Sequence, residues 1–464
     1  MNFKNLEIFL DGVRCFSQPT WVPVRPVTIL IGENSSGKST VLALVRIVWD
    51  VILSGMDPND AFNEAPFAFG SFEHIVTYVG GRSGKRADFR IGLKFDADLP
   101  KRARSSDPRL IGKPMEVVAT FTEVDGASSI SRFEYLVPDV ERLTIKSDAT
   151  GAWTAQVELL GAIGTKKSHE VKLRDFPNMK GRYSVSMLIW ALDELLFSSR
   201  GKLTKGGRPL EKAAALSERQ NEVVERLWVA IRSSPRPTGR PYAFAPIRSS
   251  PRRTYDPVGM SPSPEGGHVP SVLAELAARS PEKWALIRKE LESFGVASGL
   301  FEEISVQRKG KKLSDPFQVG VSHGKRKAFN LADVGYGVSQ ILPIIFELLA
   351  AEADTFLLQQ PEVHLHPRAQ AALGSFIVDL FKRRKKHFVI ETHSDYLLDR
   401  IRMDIRDRYS GLAGDVLVLF FDSGKKQPAI HPMEIDNSGN FKSVPEGYRA
   451  FFMAEEQRFL IGQP

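Results

Sequence analysis

Eight residues near the N-terminus, Gly32-Glu33-Asn34-Ser35-Ser36-Gly37-Lys38-Ser39, fit the spacing G-x-x-x-x-G-K-S. Glycines at both ends let the backbone curl until successive N–H groups point inward, and the lysine adds a positive charge at the rim. Such a loop binds a polyphosphate: Lys38 would contact the β- and γ-phosphates, Ser39 would ligate Mg²⁺ and Thr40 would hydrogen-bond the α-phosphate. Val27-Thr28-Ile29-Leu30-Ile31 reads as a strand entering the loop, and residues 40–53 read as a mostly buried helix leaving it. A helix N-terminus would therefore add its dipole to the cradle.

Three later segments carry further polar chemistry. Asp333-Val334-Gly335-Tyr336-Gly337-Val338-Ser339-Gln340 is a glycine turn before an apolar helix. Thr355-Phe356-Leu357-Leu358 is a short apolar strand, followed by Gln359-Gln360-Pro361-Glu362-Val363-His364-Leu365-His366-Pro367. His387-Phe388-Val389-Ile390 repeats the strand pattern before Glu391-Thr392-His393-Ser394-Asp395. Gly337 stands 23 residues before Gln360, and His393 stands 33 after it. His364 and His366 also allow a metal reading.

In this order the segments resemble ABC ATPases: a phosphate loop, a divergent signature segment, a Walker B strand running into a D-loop, and a switch-histidine loop. The style Q-P-E-V-H-L-H-P with E-T-H-S is closest to the OLD/SMC-like branch. That branch includes small bacterial anti-phage ATPases such as the ATPase component of PARIS systems. The tail Ile435-Asp436-Asn437-Ser438-Gly439-Asn440, Val444 to Tyr448 and Phe451-Phe452 resembles the same relatives, and Arg248 to Arg253 with Pro264 to Gly267 echoes them loosely. The likeness covers both ends of the chain well and the middle poorly.

The resemblance implies ATP and Mg²⁺ as cofactors. Gly32, Glu33, Asn34, Ser35, Ser36, Gly37, Lys38, Ser39 and Thr40 would hold the nucleotide, and Gly335, Gly337 and Ser339 would cap it in a second copy bound head to tail. Catalytic candidates are Gln359, Gln360, Glu362, Glu391 and His393, with Ser39 and Gln359 at the metal. The family usually has one or two carboxylates where Gln359 and Gln360 stand. Gln359 is the clearer departure, because the second position is often glutamine in this branch. An amide orients water but cannot take a proton, so hydrolysis should be slow, unless Glu362, Glu391 or His393 is the base. A glutamine here is either native or a substitution that traps the bound state. The implied partners are self, in a dimer or larger oligomer, a separate effector protein, and DNA or a phage protein as trigger. The alternative is a DNA-clamping repair ATPase of the SMC/RecF-like type.

The elements that must position these residues follow from patterning. The order helix 338–351, strand 355–358, helix 367–383, strand 387–390, helix 394–405, strand 415–421 is that of a parallel sheet covered by helices. The strand at 27–31 must join it across more than 300 residues of chain. Residues 66–160 alternate as antiparallel strands, 99–114 is a polar loop, and helices are expected at 183–197, 210–231, 269–278 and 282–294. Residues 233–268, rich in Pro, Arg, Ser and Gly, mark a connector. The expected fold is α/β: an ABC-type P-loop NTPase head with a mixed or parallel central sheet, an antiparallel β subdomain and a helical insertion. The divisions are 1–200, 201–300 and 301–464.

Composition narrows the classes. With 464 residues, 42% hydrophobic and 25% charged, the chain is an ordinary globular one. No apolar run is long enough to span a bilayer, and the N-terminus lacks a signal-peptide pattern, so no membrane role and a cytoplasmic setting are expected. A single cysteine, Cys15, excludes a disulfide framework and a Cys-based zinc site. The net charge of +8 gathers at residues 308–312, 325–327 and 382–386, which would suit a phosphate backbone or an acidic partner. Residues after His393 contain no Asp-x-Asp pair, which argues against an intrinsic Toprim nuclease. The middle helices are too short for the coiled coils of SMC proteins.

Overall fold

The computed structural model describes residues 6–80, 84–96, 113–137, 141–147, 153–160, 166–173, 240–257, 261–324, 327–424 and 427–461. The helices expected at 183–197 and 210–231 lie outside the described residues, as do Lys325, Arg326 and most of the loop at 99–114. The chain forms two compact units that do not follow chain order. One comprises Met1–Arg25, Ser35–Arg240 and Ser423–Ala429, the other Pro26–Asn34, Pro241–Asp422 and Ile430–Pro464.

The first unit is built on an eight-stranded sheet in the order β2-β1-β4-β5-β6-β7-β8-β9. Its strands are β1 (Leu6–Asp11), β2 (Thr20–Val24), β4 (Asp88–Asp96), β5 (Pro114–Val124), β6 (Ala127–Val137), β7 (Glu141–Ser147), β8 (Trp153–Leu160) and β9 (Lys166–Leu173). Every pairing is antiparallel, as expected from the alternation. In β4 the alternation buries Phe89, Ile91, Leu93 and Phe95 on one face. Phe89 stacks on Phe121 with ring centroids 4.9 Å apart, and Phe62 meets both edge-on. The helix α1 (Lys38–Val48) lies against β1 and β4 and runs into a π-helical turn, Trp49–Leu53. Strand structure was expected from residue 66, but 66–80 and 84–87 hold the short helix α3 (Phe72–Ile75) and isolated bridges. A further short helix, α2 (Pro58–Asn63), precedes it. Gly70, Gly80 and Gly84, all at positive φ, break the extended run there.

The second unit carries a six-stranded sheet in the order β10-β14-β15-β3-β16-β17. These are β3 (Val27–Gly32), β10 (Tyr242–Phe244), β14 (Thr355–Gln359), β15 (His387–Glu391), β16 (Val416–Asp422) and β17 (Ala429–Glu434). The pairs from β10 to β16 are all parallel. Their near-continuous burial, Phe356-Leu357-Leu358 and Phe388-Val389-Ile390 among them, suits strands covered on both faces. β3 occupies the interior of the sheet, between β15 and β16, as the sequence required. The helices are α4 (Val269–Arg279), α5 (Pro281–Ser298), α6 (Tyr336–Ala350), α7 (Pro367–Arg384), α8 (Asp395–Asp407) and α9 (Ala450–Ile461). α7 packs on α5 and α8, and α6 packs on α4 and α5. A small antiparallel sheet, β11 (Glu303–Arg308), β12 (Phe317–Ser322) and β13 (Phe329–Asn330), completes the unit. The connector expected at 233–268 contains β10 and the switch between units at Arg240–Pro241.

Candidate functional site

The phosphate loop leaves the carboxyl end of β3. Gly32 has φ of 130°, and a Cβ there would sit 2.1 Å from the Phe421 carbonyl oxygen of β16. Only glycine fits at that approach. Further along the loop, Ser35 (φ 60°) and Gly37 (φ 93°) are also left-handed, a backbone alternation that turns amides inward as an anion nest does. Gly37 caps α1, and a side chain there would collide with the Phe16 ring at 2.6 Å. Ser36, Lys38 and Thr40 are buried, whereas Glu33, Asn34 and Ser35 are exposed at the tip of the loop.

The same carboxyl edge gathers the polar residues of β14 and β15. Gln359 stands opposite Glu391, and Glu391 stands opposite Leu30, in one row across three strands. Gln360 donates its N–H to the Glu391 carbonyl (2.8 Å) and takes a left-handed φ of 44°, which ends the strand abruptly. Thr392 N–H donates to the Leu30 carbonyl at 3.1 Å, tying the segment after β15 to β3. Glu362 is buried and its Oε1 accepts the His393 N–H at 2.7 Å. Burial pushes its carboxyl up from the ordinary range, against the lowering effect of that bond, the Thr392 hydroxyl and the Arg248 charge. The His393 ring is left exposed, and Ser394 caps α8 by accepting the Leu397 N–H at 3.0 Å. Within the second unit, Gly32, Glu33, Thr392 to Asp395, Phe420 and Gly447 to Arg449 line a cavity of about 420 Å³.

The glycine segment opens α6. Gly335 is its N-cap, and a Cβ there would meet nothing, whereas a Cβ on Gly337 would lie 2.8 Å from the His364 carbonyl. Gly337 is thus required by close approach of the segment after β14. Ser339 is buried and its hydroxyl donates to the Tyr336 carbonyl at 2.9 Å. His364 packs edge-on against Tyr336 at 4.9 Å, and His366 caps α7 by accepting the Arg368 N–H at 3.3 Å. Both histidines have structural partners, and among the described residues no group of three His, Cys, Asp or Glu is placed to hold a metal.

Residues 260–399 match the family described as AAA domain, putative AbiEii toxin, Type IV TA system. Among solved structures, the chain is similar to an Smc head bound to the C-winged helix domain of ScpA: 11% identity, 93% of this chain and 98% of that one, TM-score 0.42. It is also similar to the Smc head domain with an extended coiled coil bound to the C-terminal domain of ScpA derived from Pyrococcus furiosus: 12% identity, 97% and 98% covered, TM-score 0.39. The SMC head domain from Thermotoga maritima is similar at 10% identity, with 93% and 100% covered and a TM-score of 0.34. No curated protein matches. These structural likenesses say nothing of activity or partners. The α/β fold of P-loop NTPase type rests here on the parallel sheet, with β3 and its glycine loop between β15 and β16.

Two side chains received no role from the motif reading, although the first fell within a segment noted for its likeness. Arg248, in the loop after β10, is 2% exposed and donates to the Pro246 carbonyl at 3.1 Å. Arg449 (φ 59°) pairs with Asp395 at 3.0 Å and Asp399 at 3.1 Å, both on α8. An arginine followed by Ser-Ser-Pro was the one available signal for the first. In the basic run at 382–386, Lys382, Arg383 and Lys385 are exposed, while Arg384 and Lys386 have structural partners. Arg384 donates to the Leu349 carbonyl and pairs with Glu290, and Lys386 donates to the carbonyls of Ala351 (2.7 Å) and Ala353 (3.0 Å). Lys309, Lys311 and Lys312, between β11 and β12, are exposed.

Proposed function

We propose that the chain is an ATP-binding protein whose nucleotide lies in the loop Gly32 to Thr40 and is capped by Gly335, Gly337 and Ser339 of a second copy bound head to tail. The row Leu30–Glu391–Gln359 at the mouth of that loop is the observation that most supports it. ATP supplies the phosphates and Mg²⁺ their charge neutralisation, with Ser39 and the Gln359 amide oxygen as the ligands this chain offers. His393 is the exposed group available to sense the γ-phosphate. Gln360, fixed at a left-handed φ, orients water but accepts no proton, so closure outlasts turnover and hydrolysis is slow. The closed dimer controls a separate effector protein, in a cytoplasmic setting of anti-phage defence with DNA or a phage protein as trigger.

Titration with a fluorescent ATP analogue tests the cradle: Lys38→Ala should weaken binding at least about a hundredfold, a loss of roughly 2.7 kcal/mol. Retained affinity in that variant overturns the assignment. Gln360→Glu should raise the hydrolysis rate at least tenfold by restoring a proton acceptor, measured as phosphate release. A DNA-clamping role is the second reading, favoured by the exposed lysines at 309, 311 and 312. Replacing those three by alanine should flatten the salt dependence of DNA affinity, and DNA binding with no such dependence removes this reading.

A further inference from the structure

Among the described residues lining the cavity beside Gly32, the charged ones are Glu33, Asp395 and Arg449, all in the second unit. Two carboxylates there would repel a phosphate, so the bonding of the guanidinium decides whether the cavity can accept one. Arg449 Nη2 donates to Asp395 Oδ1 at 3.0 Å and to Asp399 Oδ2 at 3.1 Å. The two aspartates differ in what else they have. Asp399 also pairs with Arg402 at 2.8 Å, whereas among the described residues Arg449 is the sole ion partner of Asp395. Asp395 opens α8, where the helix dipole favours a carboxylate, so its charge persists with or without the arginine.

The surrounding fold fixes Arg449 in this position. Its φ of 59° is a left-handed value that an arginine adopts only when its neighbours impose it. The preceding Tyr448 packs edge-on against Phe420 and Phe441, with ring centroids 5.7 Å and 5.6 Å away. Phe420 belongs to β16, and the next residue of that strand, Phe421, accepts the Glu33 N–H at 3.3 Å. The tail is thus seated on the strand that flanks the phosphate loop.

We propose that Arg449 is a positioning residue of the nucleotide site: by neutralising Asp395 it lets the cavity admit the terminal phosphate of ATP. This rests on the ATP reading above and adds to it a means of telling ATP from ADP. ADP ends at the β-phosphate, which the loop amides and Lys38 hold, so the charge on Asp395 matters less to it. Without Arg449, an uncompensated carboxylate faces the extra charge of the γ-phosphate.

Competition of ATP and of ADP against a fluorescent ATP analogue, on the full-length protein, reads the effect as the ratio of ATP to ADP affinity. In Arg449→Gln that ratio should fall about tenfold, mainly through ATP, and by less in high salt, which screens an exposed charge. Arg449→Lys, which keeps the charge, should stay within about threefold of the parent. Asp395→Asn alone should raise the ratio about threefold, because the cavity loses a carboxylate and keeps its guanidinium. Together, Arg449→Gln and Asp395→Asn leave the net charge of the lining as it was, and the ratio should return to within about twofold of the parent. An arginine that merely stapled the tail to α8 would not be rescued in this way, since the staple stays cut.

An unchanged ratio in Arg449→Gln, or a double variant as impaired as that one, overturns the inference and leaves the cradle standing if Lys38→Ala has lost its nucleotide. Should Arg449→Gln not fold, Asp395→Asn decides: a raised ratio supports the role of the charge, and an unchanged or lowered one removes it. Equal ATP affinity in Lys38→Ala and the parent would instead end the nucleotide reading, and this inference with it.

Discussion

Single residues at this site are constrained by contacts that their types make intelligible. Gly32 combines a φ open to few side chains with a neighbouring carbonyl where a Cβ would stand. Gly32→Ala should therefore cost about 3 kcal/mol in urea unfolding and remove nucleotide binding, since β3 must part from β16 to make room. Wild-type stability in that variant would overturn the requirement for glycine there. Asp11, in the other unit, makes the opposite electrostatic case. Burial works to raise its carboxyl, but Arg86 and Arg90, each at 2.7 Å, outweigh it and leave the group below the ordinary range. A carboxylate lowered in the folded state contributes stability that is complete above its unfolded value and lost as pH falls through the folded one. Asp11→Asn should thus cost about 2 kcal/mol at neutral pH, by removing the buried carboxylate that two arginines share, and should flatten the acid limb of the stability profile. Unfolding midpoints measured from neutral pH down to strong acid would show both effects.

At the scale of elements, legibility followed length and periodicity. β3, β14, β15 and β16 read as compact apolar runs, and α5 to α8 as long periodic segments, so their boundaries fell within a few residues of those expected. β10 did not read as a strand. Three residues have no measurable period, and Tyr242-Ala243-Phe244 lies among prolines and arginines that look like a linker. Its pairing with β14 comes from tertiary context, not local preference. The π turn at Trp49–Leu53 was equally hidden, because its anchor is distant in sequence. Asp50, almost fully buried, accepts from Arg240 at 2.6 Å and Arg46 at 3.2 Å, and Arg240 also donates to Glu64 at 2.7 Å. Arg240→Ala should cost about 2 kcal/mol in chemical denaturation, more than an exposed pair would, because Asp50 is left with one partner in a buried setting. A change within 0.5 kcal/mol, the range of ordinary surface substitutions, would mean that Arg46 alone suffices.

For the whole molecule, the decisive feature is that one unit borrows its interior strand from the beginning of the chain. Without Pro26–Asn34, the sheet of the second unit would have β15 and β16 facing a gap, each with an unpaired edge. Val27, Ile29 and Leu30 are fully buried, and at roughly 2 kcal/mol each their loss alone removes about 6 kcal/mol, comparable with the net stability of a typical domain. A fragment of residues 241–464 should therefore be unfolded or aggregated, exposing two parallel-strand edges. Restoring residues 26–34 ahead of residue 241 through a flexible linker should recover a cooperative transition. The linker must return from the carboxyl end of β3 to the amino end of β10, three strand spacings across and one strand length back. That is roughly 20–25 Å, which about 15 Gly/Ser residues span easily. Circular dichroism melts of the two fragments decide the matter. A cooperative, reversible melt from 241–464 alone would mean that the sheet closes without β3, and the phosphate loop would then hang on a dispensable strand.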